Sequence, residues 1–236
     1  MNKQGKLFLI PTPIGNDPDF PIIFFNQEIL LNLEVFIVEE LSTARRFLKK
    51  AGYLKDLNTV EFLVFNEQSG PEASQEFLPI IQSGSSVGLM SEAGLPCVAD
   101  PGAAVVKLAH ENNIEVVPLP GPSSIFLALM ASGGNGQKFY FHGYLPIEKH
   151  LKIRKIADLE KDARYLGVSQ IFMETPYRNV QLLELLIQSC KNDMKLCVAC
   201  DLLSQNQLIT TKSIHDWKKS SLVDIHKKPV IFVLFY

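Results

Sequence analysis

The residues best suited to chemistry lie in four short segments rich in proline and glycine, each directly after an apolar run. Glycine lets a backbone approach a ligand closely, while proline holds a loop rigid and lacks an N–H donor. Together such segments are typical of a site that holds a ligand with main-chain amides and carbonyls, although any one of them alone is better explained as a turn. They are Pro11-Thr12-Pro13-Ile14-Gly15-Asn16, Ser91 to Gly102, Pro120-Gly121-Pro122-Ser123-Ser124 and Glu174-Thr175-Pro176-Tyr177-Arg178.

Polar side chains near these segments are candidates for acid and base catalysis. A carboxylate whose pKa is raised by burial could act as a general base, and the candidates are Glu39 and Glu67, with Asp100 and Glu174 nearby. Arg178 could bind a phosphate or carboxylate through its bidentate guanidinium. Each carboxylate could equally cap a helix or hold a loop. Of these residues, Glu39, Glu67 and Arg178 are the predicted catalytic set.

Several other kinds of site are excluded by missing motifs. The chain lacks G-x-G-x-x-G after its first strand, which argues against a dehydrogenase. It also lacks G-x-x-x-x-G-K-[ST], which argues against a P-loop protein that binds nucleoside triphosphates. The C-x-x-C at Cys197 and Cys200 falls in a predicted strand, where positions i and i+3 point to opposite faces, and no second ligand pair accompanies it. No metal site is predicted.

Charge is distributed unevenly along the chain. Residues 1–120 carry 8 basic and 15 acidic side chains, whereas residues 121–236 carry 15 basic and 10 acidic, so the second half is the expected contact for a polyanion. Two predicted helices carry basic clusters, which we interpret as solvent-exposed faces. These clusters are Arg45, Arg46, Lys49 and Lys50, and Lys149, Lys152, Arg154 and Lys155.

Composition indicates a folded protein. The chain has 236 residues, of which 47% are hydrophobic, and a net charge of −2, values that exclude intrinsic disorder. Four cysteines are too few for a disulfide scaffold and indicate reduced thiols. Polar residues interrupt the apolar stretch at 20–38, so no membrane span is expected. The N-terminus lacks the features of a signal peptide, which predicts a cytoplasmic location.

Short apolar runs alternate with helical patterns in the first half. Continuous apolar strands separated by helices predict a doubly wound parallel α/β domain over residues 1–118. The Pro118 to Pro122 segment is predicted to be a stiff connector, because proline interrupts both helices and strand ladders. Residues 119–236 predict an α+β domain with some antiparallel pairing and a cleft between the two domains. The predicted strands are 6–10, 35–38, 60–65, 87–90, 114–117, 139–144, 168–173, 195–199, 207–211 and 230–235, and the predicted helices are 26–33, 42–51, 71–82, 103–112, 123–131, 148–163 and 178–190.

Five ordered motifs together resemble the tetrapyrrole (corrin/porphyrin) methylase superfamily, and within it the branch of ribosomal RNA small subunit methyltransferase I. The resemblance spans nearly the whole chain. It implies a two-domain α/β fold, S-adenosylmethionine bound between the domains, a homodimer, and methylation of the 2′-hydroxyl of a cytidine in 16S rRNA of the small ribosomal subunit. The motifs are Ile10 to Asn16, Ser91 to Gly102, Pro118 to Ser124, Gly143 to Pro146 and Glu174 to Arg178.

The resemblance also implies which residues contact the cofactor. These residues are Pro13, Ile14, Ser91, Glu92, Ala93, Ser123, Ser124, Met173, Glu174 and Ala199. S-adenosylmethionine requires an apolar slot with a few backbone hydrogen bonds for its adenine, together with contacts for a charged methionine tail. No metal is required for its methyl transfer.

Three segments differ from the pattern of the rRNA branch. The branch has A-E-D-T-R-H-T where this chain has Val38 to Ala44, N-E-H-N where it has Asn66 to Ser69, and R-E-L-T-K where it has Cys200 to Ser204. The chain also ends at Tyr236 without the C-terminal extension typical of that branch. Fewer cations weaken contacts with phosphates. A tetrapyrrole or another small molecule therefore stays open as the methyl acceptor, as does a non-catalytic paralogue that binds the cofactor or RNA.

Overall fold

The computed structural model describes residues 4–15, 24–221 and 223–236. Asn16, the last residue of the first candidate segment, lies outside these described residues, as do the first residues of the apolar stretch at 20–38. The chain divides into one compact unit that ends at Pro122 and a second that runs from Ser123 to Tyr236.

The first unit is built on a five-stranded parallel sheet, which confirms the predicted doubly wound architecture. Its strand order is β3-β2-β4-β1-β5, and every pairing is parallel. The strands are β1 (Leu7–Ile10), β2 (Val35–Val38), β3 (Glu61–Val64), β4 (Val87–Met90) and β5 (Val116–Pro118). The helices are α1 (Phe24–Asn32), α2 (Leu41–Lys50), α3 (Phe77–Gln82) and α4 (Ala103–Glu111), with a 3₁₀ turn at Pro71–Gln75.

Alternating side chains of this sheet enter two separate cores. Phe36 and Val38 of β2 pack in the core that includes α1 and α2, whereas Val35 and Ile37 pack in the core that includes α3 and α4. All four residues of β2 are buried. Helices on both faces therefore explain why the strands are continuous apolar runs.

Two details differ from the sequence-based expectations. The helix predicted at 71–82 is divided into a 3₁₀ turn and α3, because Pro79 lacks an N–H group and its ring would clash with the carbonyl of Gln75. Pro118 was expected to lie in a connector but ends strand β5. A proline is tolerated there because β5 is an edge strand, and the amide of Leu119 continues the ladder by donating to the carbonyl of Leu9 at 3.0 Å.

The second unit has a mixed five-stranded sheet of order β6-β7-β10-β8-β9. Strands β6 and β7 are parallel, while β10 is antiparallel to both β7 and β8, and β9 is antiparallel to β8. This confirms the expected antiparallel pairing. The strands are β6 (Phe139–Tyr144), β7 (Ser169–Met173), β8 (Lys195–Cys200), β9 (Leu208–Ser213) and β10 (Val230–Phe235).

Four helices accompany this sheet: α5 (Ser124–Ser132), α6 (Lys149–Leu166), α7 (Asn179–Ser189) and α8 (Ile214–Lys219). Helices α6, α7 and α8 share a core with Phe172, Val198 and Phe232, and Cys200 is part of it. The sequence patterns did not predict α8, which is only six residues long. No helix in the described part of the chain is long and apolar enough to cross a membrane.

Candidate functional site

The loops after β1 and β4 are joined at the carboxyl edge of the first sheet. The amide of Thr12 donates to the carbonyl of Gly94 at 2.9 Å, and the amide of Gly94 donates to the carbonyl of Thr12 at 3.1 Å. The hydroxyl of Thr12 also donates to the carbonyl of Ser91 at 3.2 Å. The two proline- and glycine-rich segments therefore form one rigid group at the edge where open α/β sheets bind ligands.

The loop after β5 packs against the loop after β1. A Cβ atom placed on Gly121 would lie 2.1 Å from Cβ of Pro11, so only glycine fits at this position. The side-chain amide of Asn26 in α1 donates to the carbonyl of Pro120 at 2.7 Å and fixes the same loop. Three of the four predicted loop segments thus contact one another through residues of the first unit.

A small cavity lies behind these loops and is bordered by Asn26. Oδ1 of Asn26 is buried and has no hydrogen-bond partner. About 20 Å³ is accessible to the centre of a water-sized sphere, which is room for roughly one water molecule and far below the volume of a nucleoside site. The cavity is therefore a candidate water site that supports the loops.

Glu39 follows β2 directly and lies at the same sheet edge. Its Oε1 accepts a hydrogen bond from the amide of Glu92 at 3.1 Å, and the carboxyl group of Asp100 is close enough to raise the pKa of Glu39. Burial raises the pKa of Glu39 most, and Asp100 and the charge of Glu92 raise it further, while the Glu92 amide lowers it. The resulting pKa is about 7. Near neutral pH, Glu39 is thus divided between its acid and base forms.

Asp100 is held by a strained turn in the loop after β4. Cys97 and Ala99 both have positive φ angles, 68° and 59°, which are unusual for residues with a side chain. Oδ1 of Asp100 accepts the amides of Cys97 at 3.1 Å and Gly102 at 2.6 Å and thereby stabilises this turn. Such strain is typical of functional sites. No local pattern in the sequence indicated that Asp100 would raise the pKa of Glu39.

The loop after β3 also reaches Glu39. The side-chain amide of Asn66 donates to the carbonyl of Glu39 at 3.4 Å, and Oδ1 of Asn66 accepts the amide of Gln68 at 3.0 Å. The predicted catalytic residue Glu67 is exposed in this loop. The sequence-based reasoning missed Asn66, which organises the loop, although an Asn at the start of a turn is a recognisable signal.

The predicted cofactor residues of the first unit lie on the joined loops. Ile14 and Ser91 are buried, and the Ser91 hydroxyl donates to the carbonyl of Gly94 at 3.1 Å. Pro13 is partly buried, whereas Glu92 and Ala93 are exposed. Glu92 and Ala93 are thus accessible from solvent, while Ser91 stabilises the loop.

In the second unit, two predicted cofactor residues share one row of the sheet. Met173 of β7 and Ala199 of β8 both pair with Ile231 of β10, one on each side. Ser123 precedes α5 as its N-terminal cap residue, is buried, and its side chain makes no capping hydrogen bond. Ser124 begins the helix and is partly buried. Backbone amides in the first turn of a helix lack intrahelical partners and favour anionic groups.

Glu174 is engaged in a buried ion-pair network. Oε2 contacts Nζ of Lys152 at 2.6 Å, and Oε1 accepts Nε and Nη2 of Arg178 at 3.0 and 2.7 Å and the amide of Thr175 at 2.8 Å. Burial by itself raises the pKa of Glu174, but these hydrogen bonds outweigh burial and hold the pKa below its usual value. Because both carboxylate oxygens are occupied, a ligand contact at Glu174 would have to come from the backbone.

Lys152 corrects one sequence-based expectation. It was assigned to a solvent-exposed face of α6, but it is only 8% exposed. The buried positions of α6 include Ile156, Leu159 and Ala163, and Lys152 lies one turn before Ile156 on the same stripe. Helical periodicity could therefore have placed this lysine in the interior, where a carboxylate partner is needed.

Solved structures of methyltransferases share this fold. The methyltransferase CobJ aligns with a TM-score of 0.61 at 16% identity, covering 97% of this chain and 93% of its own. The cobalamin biosynthetic enzyme cobalt precorrin-4 methyltransferase, CbiF, aligns with a TM-score of 0.62 at 15% identity, covering 98% and 94%. The protein thus has the two-domain fold of the tetrapyrrole methylases.

Sequence relatives define the family. Ribosomal RNA small subunit methyltransferase I of Thermotoga maritima is 34% identical over 175 residues, covering 74% of this chain and 73% of the relative. The enzyme of the same name from Streptococcus pyogenes is 30% identical over 222 residues, which cover 94% of this chain and 70% of the relative. That of Buchnera aphidicola is 27% identical over 238 residues, which cover 99% of this chain and 79% of the relative. No protein-family model matches. The chain belongs to the ribosomal RNA small subunit methyltransferase I family.

Members of this family are methyltransferases that use S-adenosylmethionine, and the residues present fit that group. The hydroxyl of Ser123, at the N-terminus of α5, makes no capping hydrogen bond. The side chains of Ala93 and Ala199 are small enough for a ligand to approach the backbone closely. Within the described residues, no cluster of three or more His, Cys, Asp or Glu side chains could hold a metal ion.

Proposed function

We propose that this protein methylates small-subunit rRNA at a ribose 2′-hydroxyl. The observation that carries the proposal is the position of Glu39, which follows β2 at the carboxyl edge of the parallel sheet and is held there by the amide of Glu92 at 3.1 Å. A ribose hydroxyl is a weak nucleophile and benefits from a general base whose pKa is close to the working pH. The pKa of Glu39, about 7, meets this requirement. Kinship with rRNA methyltransferases supports RNA as the class of substrate.

When bound, S-adenosylmethionine supplies an electrophilic methyl group. The proposed contacts in the first unit are Pro13, Ile14, Ser91, Glu92 and Ala93, whose loops are held in place by reciprocal backbone hydrogen bonds. In the second unit they are Ser123, Ser124, Met173, Glu174 and Ala199. The first turn of α5 suits the carboxylate of the methionine tail, since its amides lack intrahelical partners.

The three proposed catalytic residues have different tasks. Glu39 accepts the proton of the ribose hydroxyl, and the Glu92 amide keeps its carboxylate oriented while it does so. Arg178 binds an RNA phosphate with the part of its side chain that stays exposed, 39%. Glu67 is exposed in the loop held by Asn66, and it contacts the substrate there.

A homodimer acting in the cytoplasm is the setting that we propose for this reaction. The edge strand β6 exposes Tyr140 and Tyr144, and α5 exposes Phe126 and Met130. Exposed apolar side chains of this size are typical of protein contact surfaces. Light scattering of the purified protein at micromolar concentration should give twice the mass of one chain, and a monomer mass would contradict the proposed dimer.

Methylation of purified small ribosomal subunits tests the proposed reaction. Subunits from a strain that lacks the gene are incubated with the protein and S-adenosylmethionine, and the digested 16S rRNA is analysed by mass spectrometry. We expect one additional ribose methyl group, and none with the Glu39→Gln variant. Calorimetry with S-adenosylhomocysteine is run on the same preparation, because it separates loss of cofactor binding from loss of catalysis.

Two outcomes would overturn the proposal. Binding of S-adenosylhomocysteine without rRNA methylation would indicate a small-molecule acceptor, such as a tetrapyrrole. Absence of binding at near-millimolar ligand would indicate a protein without catalytic function.

A further inference from the structure

The lysines and arginines that the structure describes in the first unit fall into two groups. Lys6, Lys55 and Lys107 each have an acidic partner, at 2.6, 2.8 and 3.8 Å respectively. The four cations of α2 form no ion pair within the described part of the chain. They are Arg45, Arg46, Lys49 and Lys50. Among the described residues of this unit, unpaired positive charge is therefore concentrated on one helix, although the first half of the chain is acidic as a whole.

Helix α2 presents these cations on the face opposite its buried stripe. Ala44, Phe47 and Leu48 are buried in the core, while Arg46, Lys49 and Lys50 are exposed. The cations lie between positions 45 and 50, so at about 1.5 Å per residue they form a track about 7.5 Å long on the axis of the helix. Pairs of like charge at i,i+4 destabilise a helix slightly, and both Arg45 with Lys49 and Arg46 with Lys50 are such pairs.

The helix dipole accounts for only part of this arrangement. Cations in the last turn of a helix interact favourably with its negative carboxyl end, and this interaction explains the positions of Lys49 and Lys50. Arg45 and Arg46 lie in the middle of the helix, where the dipole gives no such benefit. A polyanionic partner would neutralise all four charges together.

Arg45 is held in place before any partner arrives. Its guanidinium carbon lies 5.5 Å from the centre of the Phe62 ring, in a cation–π contact. Its Nε atom is buried and has no hydrogen-bond partner. A guanidinium restrained by this cation–π contact loses less conformational freedom when it binds a phosphate.

Helix α2 begins directly beside the proposed catalytic carboxylate. Glu40 is its N-terminal cap residue and follows Glu39 in the chain, and Oε1 of Glu40 accepts the amide of Ser42 at 3.0 Å. The carboxylate of Glu40 is thus engaged in capping at the end of the track nearest Glu39. A chain of phosphates lying along α2 would end at Glu39.

We propose that the exposed face of α2 binds the phosphate backbone of the substrate RNA and leads the target ribose to Glu39. This inference rests on the proposed rRNA methylation and assigns its RNA contact to a surface in the first unit. The charge distribution of the sequence had instead favoured the second half of the chain for such a contact.

A triple variant of α2 and a matched triple variant test the proposal. Arg46, Lys49 and Lys50 are replaced by Ala in one protein, and the paired cations Lys6, Lys55 and Lys107 are replaced by Ala in the other. Both lose three positive charges from the same unit. Binding of a fluorescent 20-nucleotide single-stranded RNA is measured by anisotropy between 25 and 200 mM KCl, together with S-adenosylhomocysteine binding and methylation of small ribosomal subunits.

Loss of three phosphate contacts should reduce the slope of log affinity against log salt by about 2, since each contact to a single strand contributes about 0.7. We expect this change in the α2 variant, with a higher KM for ribosomal subunits, an unchanged kcat and unchanged S-adenosylhomocysteine binding. The matched variant should keep the wild-type slope.

Equal slopes in the two variants would refute the role of α2. Failure of the wild-type protein to methylate rRNA would instead refute the proposed function, and the two results are distinguishable. An α2 variant that loses affinity for anionic lipid vesicles but not for RNA would also overturn the proposal.

Discussion

Replacing Glu39 by Gln should stabilise the protein at alkaline pH and abolish its activity. The amide oxygen of Gln can still accept the Glu92 amide, and its NH₂ group can donate to Asp100, so the geometry is preserved. The substitution removes the negative charge that burial and Asp100 disfavour. Stability and catalysis are therefore expected to change in opposite directions.

The magnitude follows from the pKa of Glu39. A pKa raised from 4.5 to about 7 corresponds at full value to about 3 kcal/mol, at about 1.4 kcal/mol per unit. The carboxyl group is partly exposed and solvent screens its interactions, so we expect about 1 kcal/mol. Between pH 4.5 and 7 the folded protein holds a proton that the unfolded chain releases, so wild-type stability falls as the pH rises through this window.

Urea denaturation followed by circular dichroism at pH 5 and pH 8 measures this effect. The stability difference between the Glu39→Gln variant and the wild type should be about 1 kcal/mol more favourable to the variant at pH 8 than at pH 5. Comparing the two pH values removes any constant effect of the substitution. Methyl transfer should fall by a factor of about 100 or more, as is typical for loss of a general base.

The exposed Glu61 of β3 provides a matched control, since Glu61→Gln removes the same charge from the same unit. It should show no such pH dependence. If the Glu39→Gln advantage is the same at both pH values, the carboxyl group is not perturbed and the assignment of Glu39 as base fails.

Three further changes test other parts of the site. Asp100→Asn keeps an oxygen acceptor for the strained turn but removes a negative charge beside Glu39, so the midpoint of the pH–activity profile should move about one unit below 7. Lys152→Met leaves a buried carboxylate short of a partner, and the free energy of unfolding at pH 7 in urea should fall by about 3 kcal/mol. Gly121→Ala places a methyl group 2.1 Å from Cβ of Pro11, and calorimetry should show S-adenosylhomocysteine bound about tenfold more weakly. Gly70→Ala is the control, because no atom lies within 4 Å of the added methyl group, and it should bind S-adenosylhomocysteine normally.

Each of these expectations has an opposing result. An unchanged pH profile for Asp100→Asn would show that the two carboxyl groups do not interact. A loss below about 1 kcal/mol for Lys152→Met would mean that Arg178 alone neutralises Glu174. Wild-type affinity in Gly121→Ala would separate the loop after β5 from the cofactor site.

Much of the fold could be predicted from sequence because its determinants are local. The run from Val35 to Val38 is apolar at every position, which only a strand covered on both faces requires, and the structure buries all four residues. The proline- and glycine-rich segments each follow a predicted strand directly, so they indicated where the carboxyl edge of the first sheet lies. Each of these patterns occupies only a few consecutive residues of the chain.

The missed parts of the site depend on contacts between distant residues. Asp100, which raises the pKa of Glu39, lies in a turn where Cys97 and Ala99 adopt left-handed backbone conformations, and their residue types do not indicate such conformations. Lys152 appeared exposed because its cationic neighbours dominate that part of α6, whereas its partner Glu174 comes from a different element. Contacts of this kind cannot be read from local composition.

The reciprocal hydrogen bonds between Thr12 and Gly94 close a long excursion of the chain at its base. Everything from α1 to the end of β4 departs from and returns to this fixed junction. Substitutions on the exposed surface of this excursion, such as the cationic face of α2, therefore leave the junction in place. The junction thus holds the two loops together independently of the surface residues that lie between them in the chain.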